Sequence, residues 1–495
     1  MTAILPLAAL PLAGCTSESL GGGSCAEGVD TDLDGLTNDV ECRLGTNALE
    51  PDTDGDGVVD GDEVARGTDP KISDGTPLKI PGCTGACAVN YKCPQSFGPT
   101  TLTGTVTIPS GTLPLYNAKV YIPTGDAIEP PPPTGATCDR CDVTPQGFST
   151  TTDINGNFTL TNVPHGQNIP LIIRVGKWRR VVTIPSVSEC TTTALPASDT
   201  RLPRNKSEGN IPRIALSTGG SDALECLLRR NKLGLDDSEF TSENGTGRVN
   251  LYGGATGANT YSAALGGGTF TTAQPTPAAS WWDTASNWTK YDIVMLSCEG
   301  GNTHMEVKSA AAVQNLENYI NMGGRVFATH WQHGWIINAA AGRPIRNVAT
   351  FASMADPGNV TAKINTGFTK GRALADWLIL PNVWGPSAPP ARGDLPINPA
   401  QWSVATTSQT LTQTWVNYNN VPQYFSFNAP VGASTGDQCG QMVFTDIHVS
   451  SAVNGDTSVR GTPFPTACTA TSLSAQEKAL IFMLFDLTNC LQPLG

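Results

Sequence analysis

The stretch Asp30–Glu63 holds two twelve-residue segments of one pattern, DTDLDGLTNDVE from Asp30 to Glu41 and DTDGDGVVDGDE from Asp52 to Glu63, starting 22 residues apart. In the first, Asp30, Asp32 and Asp34 occupy positions 1, 3 and 5, Gly35 position 6, Leu36 position 7, Asn38 position 9 and Glu41 position 12. The second repeats the set with Asp52, Asp54, Asp56, Gly57, Val58, Asp60 and Glu63. A hard cation of calcium's size takes about six to eight oxygens. Alternating carboxylates supply three, the carbonyl at position 7 another and position 9 one more, often through water. A bidentate glutamate closes the shell, and the glycine permits the sharp turn. A disordered acidic linker has no reason to place glycine and glutamate at these offsets twice, so the pattern predicts two Ca2+ sites on these residues.

Only ten residues, Cys42 to Pro51, separate the two loops. That is too short for the flanking helices of a paired EF-hand. The connecting phrases, LGTNALEPDTDGDG and ARGTDPKISDG, resemble thrombospondin type 3 repeats. The resemblance covers about Val29 to Gly75, with an incomplete third unit ending at Asp74. It implies a stalk whose interior is mostly calcium, with little hydrophobic core. Dockerin modules share the tandem loops, but their loops lead into helices that the Gly-Thr and Pro breaks here would interrupt.

Working outward, the 495 residues suggest about three domains, with no stretch that reads as a transmembrane span. Cys25–Thr76 contains 15 acidic and 3 basic residues, so all but one of the 13 net negative charges lie there. The acidity is a ligand shell for cations, and no segment offers the basic surface that nucleic acid requires. Residues 1–14, MTAILPLAALPLAG, read as an export signal lacking its basic n-region, which implies a start a few codons upstream. Leu12-Ala13-Gly14-Cys15 resembles the lipobox of bacterial lipoproteins. That resemblance implies lipidation of Cys15, a membrane anchor, and a polar tether over 15–24. Release as a soluble exported protein is the alternative.

Fourteen cysteines in an exported chain read as disulfides. Setting Cys15 aside leaves an odd number, so at least one thiol is unpaired or pairs between molecules. Cys25 and Cys42 bracket the first calcium loop and are placed to staple it. Cys83, Cys87 and Cys93, in a Cys-rich linker over 77–97, and the Cys138-x-x-Cys141 pair form disulfides or, less in keeping with export, a zinc site.

Over 98–204 the pattern changes to short alternating strands: TLTGTVTI, AKVYI, GNFTLTNV, PLIIRV and RRVVTI, with Asn155-Gly156 as a hairpin turn. These predict an antiparallel β-sandwich. The phrases TTDINGNFTLTNVPHG and GTVTIPSGTLPLYNAKVYIP resemble the carboxypeptidase regulatory-like, prealbumin-type domain, which implies a non-catalytic spacer or binding module. A polyproline insert at Pro130–Pro133 is expected to loop out between two strands. His165 reads as a turn or surface histidine.

From 205 to 495 strands and helices alternate. IPRIALST, ending in Gly219-Gly220, leads into SDALECLLRR, with Ser221 or Asp222 as a possible helix cap; RVNLYG, YDIVMLSC, RVFATHW and GQMVFTDIHVS are further strands. EVKSAAAVQNLENYINM reads as a helix, and SAQEKALIFMLFDLTNCL as a closing amphipathic one with Ser474 as a cap. Such alternation predicts a parallel sheet with any site at the carboxyl ends of its strands. YDIVMLSCEGG and GGRVFATHWQHG resemble elements of class I glutamine-amidotransferase-like domains and their trehalose-utilisation-type relatives. The resemblance implies a flavodoxin-like α/β fold. The family's nucleophilic cysteine is replaced here by Thr329 or His330, which argues against glutaminase activity.

Polar residues nevertheless gather at these strand ends: Cys298 and Glu299, His330 and His333, Asp446 and His448, with His304 in a loop. Cys298 could serve as a nucleophile with His448 as its base, or the histidines with Glu299 could bind a transition metal. The bland alternative is a buried cysteine and histidines that satisfy loop backbone. Nine of the ten tryptophans, among them Trp281, Trp282, Trp288, Trp331 and Trp335, fall in the same region, where core packing outweighs sugar binding as an expectation. Arg392-Gly393-Asp394 matches an integrin-binding tripeptide and reads as chance. Together these features predict a lipid-anchored protein of the bacterial cell envelope or outer surface. Calcium rigidifies its stalk, and its terminal domain binds a carbohydrate or a surface protein. An envelope hydrolase acting on a carbohydrate or amide is the competing reading.

Overall fold

The apolar runs of the C-terminal half lie side by side in a computed structural model of the chain, which describes residues 25–66, 69–71, 79–89, 93, 97–139, 147–273, 281–301, 308–449 and 456–492. Cys15, Asp74, Cys141 and His304 lie outside the described residues, as do the segments read as signal and tether. Among the described residues no helix is long and apolar enough to cross a membrane.

Each calcium-type loop runs into a helix of seven residues, Asn38–Leu44 and Asp60–Arg66. The first ends on Gly45, whose left-handed φ of 79° lets its amide cap the Glu41 carbonyl. The Gly-Thr break thus shortens the helix and does not prevent it.

The next region forms two sheets. Lys119–Pro123 pairs with Gly147–Thr151 and with His165–Val175, which in turn pairs with Trp178–Val187. Thr101–Thr105 pairs with Asn157–Leu160 and Thr192–Ala194 in a second sheet. Inward residues such as Leu102, Val120, Phe158, Leu171 and Ile173 are buried between them. Asn155-Gly156 is not a hairpin turn, because the strands on either side belong to different sheets. The Asp153 carboxylate accepts from the amides of Asn155 and Asn157 and turns the corner.

The rest is built on an 11-stranded mixed sheet. Val249–Gly253, Ile214–Ser217, Ile293–Leu296, Arg325–Thr329 and Gly440–Thr445 run parallel in that spatial order. Antiparallel strands from Val421–Ala429 to Asp394–Ala400 extend one edge. Both faces are covered, so the central strands read as unbroken apolar runs. Val294, Val326 and Met442 pack with Leu316 and Ile320 of the Ala310–Asn321 helix; Met295, Phe327 and Val443 pack with Leu480 and Leu484 of the Ala475–Thr488 helix.

Two helices differ from expectation. SDALECLLRR forms only Leu224–Leu227, without a side-chain cap; Asp222 instead accepts from the distant amide of Val449. The closing helix has the Ser474 capping box, but it is buried nearly all round. One side lies on the sheet, and the other meets both the Thr369–Leu378 helix, where Trp377 packs on Phe482, and the sandwich, where Trp178 packs on Phe485 and Gly176 abuts the Thr488 carbonyl.

The sandwich is therefore not a free spacer. Its proline-rich insert loops out as expected, and the segment after it docks on the α/β domain. Gly135 N donates to Asp292 Oδ1 at 2.8 Å, Lys177 pairs with the same carboxylate at 2.6 Å, and Cys138 is bonded to Cys439. The other disulfides are Cys25–Cys42, Cys83–Cys87, Cys93–Cys190 and Cys226–Cys468; Cys490 is also disulfide-bonded. These pairings rule out the zinc reading for Cys83, Cys87, Cys93 and Cys138.

Candidate functional site

Two groups of ligand-type side chains stand out, one in the acidic loops and one at the sheet's carboxyl edge.

In both loops the position 1 aspartate organises the backbone. Asp30 accepts from the amides of Leu33 at 2.7 Å and Gly35 at 3.2 Å, and Asp52 from those of Gly55 at 2.7 Å and Gly57 at 2.8 Å. Gly35 and Gly57 adopt φ of 99° and 95°, the left-handed turn that position 6 requires. Position 9 clamps position 2: Asn38 accepts from Thr31 N, and the Asp60 carboxylate accepts from both Thr53 N and Thr53 Oγ1. These contacts tie the loop ends together and engage side chains that the sequence pattern assigned to the cation.

Asp30, Asp32 and Asp34 bring carboxylate oxygens within 4.8 Å of one another, as do Asp52, Asp54 and Asp56, and also Asp34, Glu41 and Asp60 across the loops. Both side-chain oxygens of Asp32 and of Glu41, and Asp54 Oδ2, are buried without a hydrogen-bond donor. Burial, with Asp34 and Asp30 nearby, pushes Asp32 up to about 7. Burial, with Asp32, Asp34 and Asp60, pushes Glu41 to about 7 as well. Buried, mutually repelling carboxylates without donors need a cation as counter-charge. The donor set therefore fits Ca2+, and the residues that would hold it are Asp30, Asp32, Asp34, Leu36, Asn38 and Glu41 in one loop and Asp52, Asp54, Asp56, Val58, Asp60 and Glu63 in the other, with Asp60 also close to Asp34 and Glu41. The loops are also coupled, since Gly61 N donates to Asp34 Oδ2 at 3.1 Å.

At the sheet, Ile293–Leu296, Arg325–Thr329 and Gly440–Thr445 are adjacent and parallel, so their carboxyl ends carry Cys298, His330 and His448 to one place. Cys298 N donates to Thr329 Oγ1 at 2.8 Å, and Cys298 Sγ lies 3.6 Å from His330 Nδ1. The His330 and His448 rings are 5.2 Å apart. His330 has φ of 44°, a left-handed conformation at the strand-to-helix turn, and this swings its ring toward Cys298. It, and not Thr329, stands at the bend. A cavity of about 230 Å³ lined by Ser221, His330, Trp331, Gln401 and His448 adjoins the cluster.

The other expected members point elsewhere. Glu299 Oε2 pairs with Lys308 at 3.0 Å. Asp446 accepts from Ser403 N, Ser403 Oγ and Val404 N, which pins that loop. His333 Nδ1 lies 3.0 Å from the His330 carbonyl, and its ring stacks on Phe351. The nearest partner of Cys298 is thus His330, not His448. Burial pushes the Cys298 thiol up and pulls His330 far down, helped by His448 and His333 and opposed by the Trp402 carbonyl; burial takes His448 to about 4. Both partners are therefore neutral at physiological pH. Sequence reading missed Asp222 as a neighbour of this cluster. Burial raises it to about 7, and it holds the Val449 amide next to His448. Its only signal was its place just after the first Gly-Gly.

Trp281, Trp282, Trp288 and Trp335 pack together with Tyr252, Tyr291 and Tyr319 as a buried aromatic core, whereas Trp331 borders the cavity. Arg392 and Asp394 of the tripeptide are engaged by Asp376 and Lys363.

Residues 30–51 and 52–71 match the bacterial TSP3 repeat family. No curated protein matches the chain. Among solved structures, a cytoplasmic protein of Salmonella typhimurium aligns at 11% identity over 56% of this chain and 99% of its own, with a TM-score of 0.28. A ThuA-like protein of Bacteroides uniformis aligns at 8% identity over 55% and 90%, also with a TM-score of 0.28. An Acetivibrio cellulolyticus type II cohesin-X-dockerin complex aligns at 18% identity over 25% and 79%, with a TM-score of 0.15. The repeats are of a calcium-binding bacterial type, and with the disulfides they mark an extracytoplasmic protein.

Proposed function

We propose that the protein is a calcium-dependent binding or adhesion protein of the bacterial cell envelope, lipid-anchored through Cys15. Its acidic repeats, ordered by two calcium ions, present a braced body of sandwich and α/β head. The observation that carries this reading is the set of buried carboxylate oxygens on Asp32, Glu41 and Asp54 that lack hydrogen-bond donors. Such a segment has little apolar interior, so cation binding supplies its folding free energy. The parallel strand order supports a flavodoxin-like, amidotransferase-type head, and the two small sheets support a regulatory-like sandwich. The Leu12–Cys15 motif supports the anchor.

The hydrolase reading keeps one observation in its favour, the 3.6 Å approach of Cys298 to His330 at the strand ends. Against it, a buried neutral thiol facing a buried neutral imidazole is a poor nucleophile. The test is calorimetric calcium titration of the purified chain beginning at Thr16, with Glu41→Ala and Glu63→Ala in parallel. Two sites, each lost with its own glutamate, are expected; binding indifferent to both changes would overturn the calcium reading.

A further inference from the structure

We propose that Cys298, His330 and His448 form a second kind of metal site, one for a borderline or soft transition-metal cation such as Zn2+. The three offer one sulfur and two ring nitrogens, all within 4.8 Å of one another. This donor set is unlike the all-oxygen loops and selects a different class of ion. The hard ligands that the sequence placed here are withdrawn, Glu299 by Lys308 and Asp446 by the Ser403–Val404 backbone.

Three further observations bear on it. Cys298 is the free cysteine among the described residues of a chain otherwise stapled by disulfides. An oxidising compartment leaves a thiol unpaired only where no partner can reach it or where it serves another purpose. His448 Nε2 is buried without a hydrogen-bond partner, on a side chain 8% exposed, while His330, 3% exposed, turns Nδ1 to Cys298 Sγ at 3.6 Å. A nitrogen placed like that of His448 lacks the partner that buried polar groups ordinarily have. Finally, the cavity beside His330 and His448 gives a cation a way in and leaves room for water as a fourth ligand. His333 and Gln476 hold the backbone carbonyls of His330 and His448 and steady the two histidines. On binding, the Cys298 thiol releases its proton to solvent and its sulfur bonds the metal as thiolate. The neutral imidazoles each donate a lone pair, and nothing is oxidised or reduced.

The test is a titration of Co2+ into the full calcium-loaded chain, followed by absorption spectroscopy. One equivalent is expected to bind with a near-ultraviolet thiolate-to-cobalt charge-transfer band that Zn2+ abolishes. Cys298→Ser is expected to lose the band and weaken binding by ~100-fold, and His448→Gln to keep the band and weaken binding by ~10-fold. Calcium titration and circular dichroism confirm that each variant is folded. Glu41→Ala leaves the cobalt signal unchanged, which separates this site from the stalk. Absence of the band at saturating Co2+, or undiminished binding in Cys298→Ser, overturns the assignment.

Discussion

At the scale of single residues, the carboxyls of Asp32 and Glu41 decide how the stalk responds to pH. Each sits at about 7 in the calcium-free loop. An unfolded carboxyl titrates near about 4, so the folded loop holds extra protons between about pH 4 and 7. Without calcium, the loops are therefore most stable below about pH 4 and lose stability as pH rises through about 7. Calcium must displace those protons. Its affinity is expected to rise from about pH 6 to about pH 8 and then level off, with proton release near neutrality. Calorimetry in buffers of different ionisation enthalpy measures this directly; a flat affinity over that range would remove these carboxyls from the ligand shell. The grouping of the loop carboxylates was legible in sequence because each group comes from one short local segment. The cluster at the sheet was legible only as a neighbourhood. Its internal pairing depends on the left-handed φ at His330 and on Lys308 capturing Glu299, and neither follows from spacing.

At the scale of elements, the two loops act as a unit. A Cβ on Gly61 would lie 2.3 Å from the Asp34 carbonyl oxygen, so only glycine allows the second loop's helix to approach the first loop this closely. Gly61→Ala is expected to lower calcium affinity at both sites, by about 10-fold at the first, since it separates the partners of the Gly61–Asp34 bond. Paired titrations of parent and variant check it, and an effect confined to the second loop would show that the loops are independent. Elsewhere, helix periodicity identified Ala310–Asn321 closely because Ser309 caps it and Gly323, at φ of 110°, stops it. It overran at Leu224–Leu227, where backbone turns and the Cys226–Cys468 bond bend the chain away. Period alone also misread the Ala475–Thr488 helix as one-sided. Its second face is covered partly by the Thr369–Leu378 helix, through Trp377 against Phe482 and Lys370 against Asp486, and partly by a different domain far earlier in the chain, through Trp178 against Phe485.

At the scale of the whole molecule, sandwich and head share apolar core, ion pairs and a disulfide between Cys138 and Cys439, 301 residues apart in sequence. They are expected to melt in a single calorimetric transition. Replacing both cysteines by serine should cost about 2–4 kcal/mol and lower Tm by several degrees. The single transition should survive, because Trp178 against Phe485 and Lys177 against Asp292 remain; two separate transitions in the parent would show that the halves are independent. This docking could not be read from the sequence, because Gly135, Asp292, Cys138 and Cys439 carry no local mark of partnership.

The disulfides also determine where the molecule can be divided. Cys93–Cys190, Cys138–Cys439 and Cys226–Cys468 span long, overlapping stretches, so a single backbone cut within them leaves the pieces covalently joined. Cys25–Cys42 and Cys83–Cys87 close only short local loops, and none of these five bonds crosses the interval between Cys42 and Cys83. A protease acting there would shed the entire body intact from whatever holds the acidic repeats. Calcium bound at the second loop, which lies within that interval, would then govern release as well.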